Sequence, residues 1–140
     1  MLPVFGKARE RARQTTCLSN MKQLSAAVMM YAANWDERMP AADNWSDAIL
    51  PYVHNEGVFK CPKAPDLKCG YAFNEALSGA STLRISESNW TVLLFESELG
   101  WNGSGGVEAL PTEPRHAGFD NFAFADGHVM AIRRDSRADM

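Results

Sequence analysis

The sequence predicts an α+β fold in which a long N-terminal helix packs on a small antiparallel sheet. Apolar residues recur at helical spacing through residues 4 to 35, and alternating apolar residues flank an Asp-Gly pair at 126–127. The helical stripe needs a cover, and the sheet is the only large apolar partner. We therefore expect 140 residues to form one domain, with a long helix over 1–35, an irregular middle with a short helix over 36–88, and an antiparallel meander over 89–140.

The composition is that of a globular protein and excludes several classes. Hydrophobic residues make up 46% and charged residues 22% of the chain, and the net charge is −3. This balance argues against a general nucleic-acid binder, so no nucleic-acid partner is expected. No apolar run approaches the roughly 18 residues that a membrane span needs.

The N-terminal helix is predicted by a proline-free stretch with an apolar stripe. After Pro3, the next proline is Pro40. The stripe consists of Cys17, Met21, Leu24, Val28, Tyr31 and Trp35. Before Cys17 the helix has almost no apolar side chains, and a helix of 32 residues is about 48 Å long. Its first half is therefore expected to protrude.

This first half is also basic. Lys7, Arg9, Arg11 and Arg13 outnumber Glu10. Such a segment can lie at an anionic membrane surface, where each basic residue contributes about 1 kcal/mol. A solvated helix face is the alternative interpretation, and for four charges it is the favoured one.

The middle of the chain predicts one short helix. Asn44 is placed to cap a helix from Trp45 to Val53, with Pro51 ending or kinking it. Residues 54–70 are expected to be irregular, and residues 71–77 to form a helical turn or a loop.

The C-terminal part predicts strands. Residues 90–95 have the composition of a buried strand, and the glycine-rich stretch 97–115 reads as a long loop. Residues 121–125 and 128–132 should form a hairpin around Asp126-Gly127. Phe122 and Phe124 should share one face, with Val129 opposite them.

Several stretches together resemble bacterial type IV pilin-like proteins. Residues 2–14 (LPVFGKARERARQ) are similar to the segment that follows the membrane helix in those proteins, and residues 17–32 to its continuation in a branch with a prepilin-type cleavage and methylation leader. His116, nine further residues and Asp126-Gly127 match the C-terminal signature of that branch. Residues 58–62 (VFKCP) and 69–74 (CGYAFN) also fit it.

The resemblance implies a function and a location. It implies a non-catalytic pilin-like or pseudopilin-like subunit for filament assembly or type II secretion-like machinery. Other pilin-like subunits would bind its N-terminal helix, and the protein would be extracytoplasmic, anchored in the inner membrane before assembly. Family members carry a leader and roughly 20 apolar residues before the position of Pro3. We expect this sequence to begin after those segments, with Met1 as a new start.

An alternative function is a cell-surface binding module, with glycans as candidate ligands, on the same anchor. Trp101 lies in the glycine-rich 97–115 stretch. An exposed tryptophan there could stack on a sugar or be buried in a neighbouring subunit, and burial in the core is an equal expectation.

The extracytoplasmic location makes disulfides plausible for Cys17, Cys61 and Cys69. A Cys61–Cys69 bridge would be worth about 2.6 kcal/mol in the chain-entropy model, and a Cys17–Cys61 bridge about 4.0 kcal/mol. Both pairings stay open. A zinc site of the three cysteines and His54 has suitable ligand types but no paired CxxC or HxxxH spacing, so the sequence disfavours it.

No cofactor is expected, with calcium as the one candidate. Major pseudopilins, to which the chain is similar, bind calcium in a C-terminal loop, and the acidic candidates here are Glu96, Glu98, Asp120 and Asp126 with Asn121. Ordinary surface acids are the favoured interpretation. An acid/base cluster of His116, Asp126 and His128 is disfavoured because a turn itself calls for Asp126. The chain is thus expected not to be an enzyme.

Overall fold

The long N-terminal helix is confirmed. The structure, a computed structural model, describes residues 2–134, with side chains from residue 5 onward. The helix α1 spans Leu2–Asn34. It ends where Asp36 and Glu37 both adopt a φ of 57°, a left-handed conformation that cannot continue a right-handed helix. In the described part of the chain, no helix is long and apolar enough to cross a membrane.

The helix α1 has two unlike halves, as its sequence predicts. No residue from 5 to 16 is buried. From Cys17 onward the stripe is fully buried through Met21, Leu24 and Val28. The predicted last member, Trp35, is wrong for the core. It follows the last residue of α1, Asn34, and its side chain is 59% exposed and stacks on Tyr31. The packed part of the helix therefore ends about one turn earlier than predicted.

The short helix of the middle is present but shorter than predicted. Helix α2 spans Trp45–Ile49, and the chain then tightens into a 3-10 helix, Leu50–Tyr52, around Pro51. The Asn44 side chain does not cap α2. Further 3-10 helices are Ala42–Asn44, Glu56–Phe59, Glu75–Leu77, Thr82–Arg84 and Val107–Ala109.

Five strands form one sheet. They are β1 Tyr71–Asn74, β2 Val92–Glu96, β3 Ser104–Gly105, β4 Phe119–Phe124 and β5 Val129–Arg133, in the order β3-β1-β2-β4-β5. Neighbouring strands are antiparallel except for β3, which pairs with β1 in parallel. The prediction of a helical turn or a loop for 71–77 is wrong for residues 71–74, which form β1. The predicted loop 97–115 contains the short strand β3 and a 3-10 helix.

The predicted hairpin is confirmed as β4 and β5. Gly127 occupies its turn at a φ of 96°, which favours glycine. The register pairs Ala123 with Val129 and Phe122 with Met130. Val129 therefore lies on the helix side of the sheet, away from Phe122, and its predicted place opposite the two phenylalanines is wrong.

The two faces of the sheet differ. The inner face packs on α1, and its core includes Phe73, Leu94 and Ala123. The outer face carries a smaller apolar cluster of Ala72, Phe95, Phe122 and Phe124. The site described next lies on the inner face, where the packed half of α1 begins.

Candidate functional site

Four buried side chains meet between α1 and the sheet: Cys17, Cys61, Glu96 and His116. Cys17 is the first buried residue of α1, and Glu96 is the last residue of β2. Cys61 follows the 3-10 helix Glu56–Phe59, and His116 lies just before β4. Four separate elements thus contribute one side chain each. We call these four residues the buried cluster.

The pleat of the sheet explains why Glu96 faces the helix. Tyr71 of β1 is the register partner of Glu96, and the pairing of Phe95 with Phe122 places Asn121 of β4 on its other side. These three residues form a transverse polar row on the inner face, because side chains of paired residues point to the same side of a sheet. The row lies under Cys17.

The ligand-type atoms of the buried cluster all lie within 4.8 Å of one another. Glu96 Oε2 lies 2.7 Å from His116 Nε2 and accepts a hydrogen bond from the Cys17 thiol at 3.1 Å. The Cys61 sulfur lies 3.7 Å from His116 Nε2 and 3.9 Å from Glu96 Oε2. All four residues are at most 1% exposed.

The ionisation of the cluster departs from that of free side chains. A hydrogen bond with Cys17, followed by one with His116, lowers the pKa of Cys61 to about 4 although burial opposes this. Burial raises the pKa of Cys17. Burial disfavours a charged His116, but hydrogen bonds with Cys61 and Glu96 outweigh that effect and raise its pKa to about 10. These pKa shifts favour a thiolate at Cys61 and a protonated ring at His116.

The other ring nitrogen of His116 is also held. His116 Nδ1 lies 3.2 Å from Glu10 Oε1. The other oxygen of Glu10, Oε2, forms an ion pair with Lys63 Nζ at 3.0 Å. Burial raises the pKa of Glu10, but Lys63 and His116 outweigh burial and lower it overall. Glu10 is thus the residue of the exposed half of α1 that reaches the site.

Neighbouring polar groups surround the buried cluster. The Tyr71 hydroxyl lies 3.1 Å from the Cys17 sulfur, and burial raises the pKa of Tyr71. The Asn121 backbone N–H donates to Glu96 Oε1 at 2.8 Å. The Asn121 side-chain amide is fully buried, and neither its oxygen nor its nitrogen has a hydrogen-bond partner among the described residues. Arg115 braces the adjoining loops by donating to the carbonyls of Gly70 at 2.7 Å and Ser97 at 2.6 Å.

This arrangement has two chemical interpretations. A thiolate paired with an imidazolium is the resting state of cysteine nucleophiles, and thiolate, imidazole and carboxylate are together a set of transition-metal ligands. A nucleophile must be reached by its substrate, yet Cys61 and His116 are buried under α1. Closed four-ligand sites are typical of structural metal ions, so burial favours the second interpretation.

The cysteines predicted to form a disulfide are partly brought together. All three are buried free thiols. Cys17 and Cys61 belong to the cluster, while Cys69 donates to the Tyr71 carbonyl at 3.2 Å. Which pair forms a bridge in the oxidised protein stays a prediction. The zinc site considered from the sequence shares Cys17 and Cys61 with the buried cluster. Its other two members, Cys69 and His54, are not in the cluster, and His54 is exposed. Glu96 and His116 complete the cluster instead.

The five calcium candidates do not form one site, although Asn121 lies beside Glu96 on the inner face. Glu96 belongs to the buried cluster, and Asp120, on the outer face of β4, pairs with Arg134 at 2.8 Å. Glu98 is exposed, and Asp126 accepts hydrogen bonds from His128 in the hairpin turn. Within residues 2–134, only the buried cluster brings three or more acidic, histidine or cysteine ligands together.

The His116, Asp126, Gly127 signature divides into two roles. Asp126 and Gly127 build the exposed turn, where the Asp126 carboxylate lies 2.6 Å from His128 Nδ1. His116 instead contacts Glu96, Cys61 and Glu10. The sequence indicated His116 as a residue of interest through its place in the signature. The residues around His116 gave no indication that it would contact Cys61.

Trp101 is half-buried rather than displayed. Its ring packs 4.6 Å from that of Phe59, its Nε1 donates to Asp47 at 3.0 Å, and Lys68 lies over it at 4.3 Å. The more accessible tryptophan is Trp90, whose side chain is 60% exposed. Trp90 borders an apolar groove of about 540 Å³ on the outer face of the sheet, also lined by Phe95, Phe122, Phe124 and Leu110.

Comparison with known proteins gives one family match. Residues 6–60 match the model of the family SBP_bac_10, described as "Protein of unknown function (DUF1559)". The match covers most of α1, the helix α2 and the chain up to the residue before Cys61. It agrees in general with the resemblance to type IV pilin-like proteins. No curated protein and no solved structure matches the chain.

Proposed function

We propose that the chain is a non-catalytic pilin-like or pseudopilin-like subunit that assembles with other such subunits through the exposed half of α1. Its place would be extracytoplasmic, with an inner-membrane anchor before assembly, in a filament or a type II secretion-like machine. The observation that carries the proposal is a helix of 33 residues, of which residues 5 to 16 include none that is buried.

The length of this helix supports the proposal. At 1.5 Å per residue, α1 is about 50 Å long, which exceeds the width of a domain of this size. Phe5 is 62% exposed. Isolated exposed helices gain little stability in water, so a helix of this kind is suited to packing against partners outside the chain. The family match, which starts at residue 6, includes this segment.

Charge supports the membrane part of the proposal. Lys7, Arg9 and Arg11 are exposed on α1. A basic segment beside an apolar start is attracted to anionic headgroups. The same residues would lie at the membrane surface before assembly.

Site-specific photo-crosslinking tests the proposal. A crosslinking amino acid is placed at Phe5 in the protein produced from its own gene in the cells that encode it, and at Leu83 as a matched control, since Leu83 is an 81% exposed apolar residue away from α1. We expect membrane-associated adducts with pilin-like subunits from position 5 in excess over position 83. Failure to sediment with membranes, together with no adduct at position 5, would refute the proposal.

The second candidate function is a cell-surface module that binds glycans. It is favoured by the exposed ring of Trp90 beside the apolar groove, an arrangement suited to stacking on a sugar face. A glycan array with the wild type and with the Trp90→Ala and Trp101→Ala variants tests it. Binding that is lost in Trp90→Ala and kept in Trp101→Ala supports this function, and the absence of any binding eliminates it.

A further inference from the structure

We infer that Cys17, Cys61, Glu96 and His116 form a structural zinc site that fastens α1 to the sheet. The inference does not depend on the proposed assembly function, because it concerns how the domain is held together. It rests on the convergence of four ligand-type side chains from four elements in a closed space.

The two distances from the Cys61 sulfur match those around a tetrahedral zinc ion. Zinc–sulfur distances of about 2.3 Å and zinc–nitrogen or zinc–oxygen distances of about 2.1 Å place a sulfur about 3.6 Å from a nitrogen or oxygen ligand. In the buried cluster, Cys61 lies 3.7 Å from His116 Nε2 and 3.9 Å from Glu96 Oε2, and Cys17 lies 3.1 Å from Glu96 Oε2. The 3.1 Å contact between Cys17 and Glu96 and the 2.7 Å contact between Glu96 and His116 are direct hydrogen bonds. Shared coordination would widen them to about 3.6 Å and about 3.4 Å.

The surroundings also fit a bound cation. Metal-binding histidines usually direct their second ring nitrogen to a carboxylate, which fixes the ring. His116 Nδ1 has this partner in Glu10 at 3.2 Å. The buried amide of Asn121, next to Glu96 in the row, has no hydrogen-bond partner among the described residues and offers a further polar group at the site.

The proton balance of binding is defined by the ligands. Zn²⁺ binds two thiolates, one carboxylate and one neutral imidazole in this site. Any proton that the two thiols or His116 Nε2 carry before binding passes to solvent, because zinc coordinates thiolates and a neutral imidazole nitrogen. No electron transfer is involved.

The decisive experiment is metal binding by the full, reduced chain. The protein is reduced with a phosphine, three free thiols are verified, and Co²⁺ and then Zn²⁺ are titrated without oxygen. We expect one equivalent, with the visible bands of tetrahedral cobalt and a thiolate charge-transfer band that zinc removes. The Cys61→Ser and His116→Ala variants should lose this binding, and the matched controls Cys69→Ala and His54→Ala should retain it.

A positioning variant covers the case in which a ligand variant fails to fold. Glu10→Gln keeps all four ligands and replaces the carboxylate at His116 Nδ1, with loss of the Lys63 ion pair. Zinc affinity should fall about 10–100-fold while the cobalt spectrum keeps its tetrahedral form. Circular dichroism confirms that the variant is folded. An affinity unchanged in both Glu10→Gln and Cys61→Ser would overturn the inference.

The competing outcome is a Cys17–Cys61 disulfide. It would be detected in unreduced protein as a loss of two hydrogens in mass and as a crosslinked peptide. If the verified reduced chain binds less than about a tenth of an equivalent of zinc, the inference is overturned and the two cysteines are assigned to the bridge. If the reduced chain binds one equivalent that depends on Cys61 and His116, the inference stands.

Discussion

The unequal halves of α1 predict a large loss of stability for one apolar truncation in the helix and almost none for another. Leu24 is fully buried against the sheet, whereas Phe5 is 62% exposed. Leu24→Ala removes three carbons, worth about 2.4 kcal/mol of transfer free energy at about 0.8 kcal/mol each. The cavity left behind raises the expected loss in unfolding free energy to about 3–4 kcal/mol.

The assay is urea and thermal unfolding, followed by circular dichroism at fixed metal content. An unfolding entropy of about 2.1 cal/mol/K per residue gives about 0.3 kcal/mol/K for 140 residues, so Leu24→Ala should lower Tm by about 10–14 °C. Phe5→Ala should change the unfolding free energy by less than about 0.5 kcal/mol. A loss in Phe5→Ala comparable to that in Leu24→Ala would refute the account, because residues 5 to 16 would then be packed within the chain.

Three further predictions concern separate contacts. Trp45→Phe keeps a buried ring but removes the 2.7 Å hydrogen bond from Nε1 to the Gly103 carbonyl. Urea unfolding should show that the unfolding free energy falls by about 1–3 kcal/mol, and an unchanged value would contradict this. Burial raises the pKa of Cys69 from 9.0 to about 11. The stability that its neutral thiol contributes is therefore present below pH 9 and is lost as pH rises to 11. Over this range the unfolding free energy should fall less steeply with pH in Cys69→Ala than in the wild type, and identical slopes would contradict the prediction. Replacing Lys7 and Arg9 by glutamine should weaken sedimentation with anionic vesicles by about 1 kcal/mol per charge in low salt, and binding that is indifferent to salt would exclude an electrostatic cause.

The sequence predicted the helix and the hairpin because each carries a long repetitive signal. The apolar residues of the stripe recur every three or four positions, and the Asp-Gly pair marks a turn. Both are local patterns, which can be recognised without knowing the element they pack against. The end of the stripe was wrong because Trp35 fits the helical period but follows the last residue of α1, and its side chain is 59% exposed. Periodicity predicts which face of a helix is buried, but it does not predict the residue at which the buried part ends.

The short strands could not be predicted in the same way. β1 has four residues and β3 has two, which is too few for an alternation to be read. β1 pairs with β2, and β3 pairs with β1, so each short strand depends on a neighbour rather than on its own composition. A short apolar run such as 71–74 is compatible with a turn, a loop or a buried strand.

The buried cluster combines signals that the sequence offered separately. Cys17 stood out on the helix stripe, and His116 stood out in the C-terminal signature. Glu96 was considered only among calcium ligands, because an acidic residue at a strand end gives no indication of which face it occupies. The sheet register decides that it faces Cys17, and the register depends on contacts far apart along the chain.

The buried cluster also accounts for how a small sheet holds a long helix. The ligands come from α1, the irregular middle, β2 and the segment before β4. One ion at this point would join the elements that the chain connects only through long, irregular segments. Glu10 would then link the exposed half of the helix to the same site.

X-ray absorption fine structure at the zinc edge tests this central claim most directly. For the zinc-loaded full chain, we predict two sulfur neighbours at about 2.3 Å and two nitrogen or oxygen neighbours at about 2.0–2.2 Å. Cys17→Ser should remove one sulfur, and Cys69→Ala should remove none. A zinc environment of nitrogen and oxygen alone, or a sulfur count that falls in Cys69→Ala, would contradict the account.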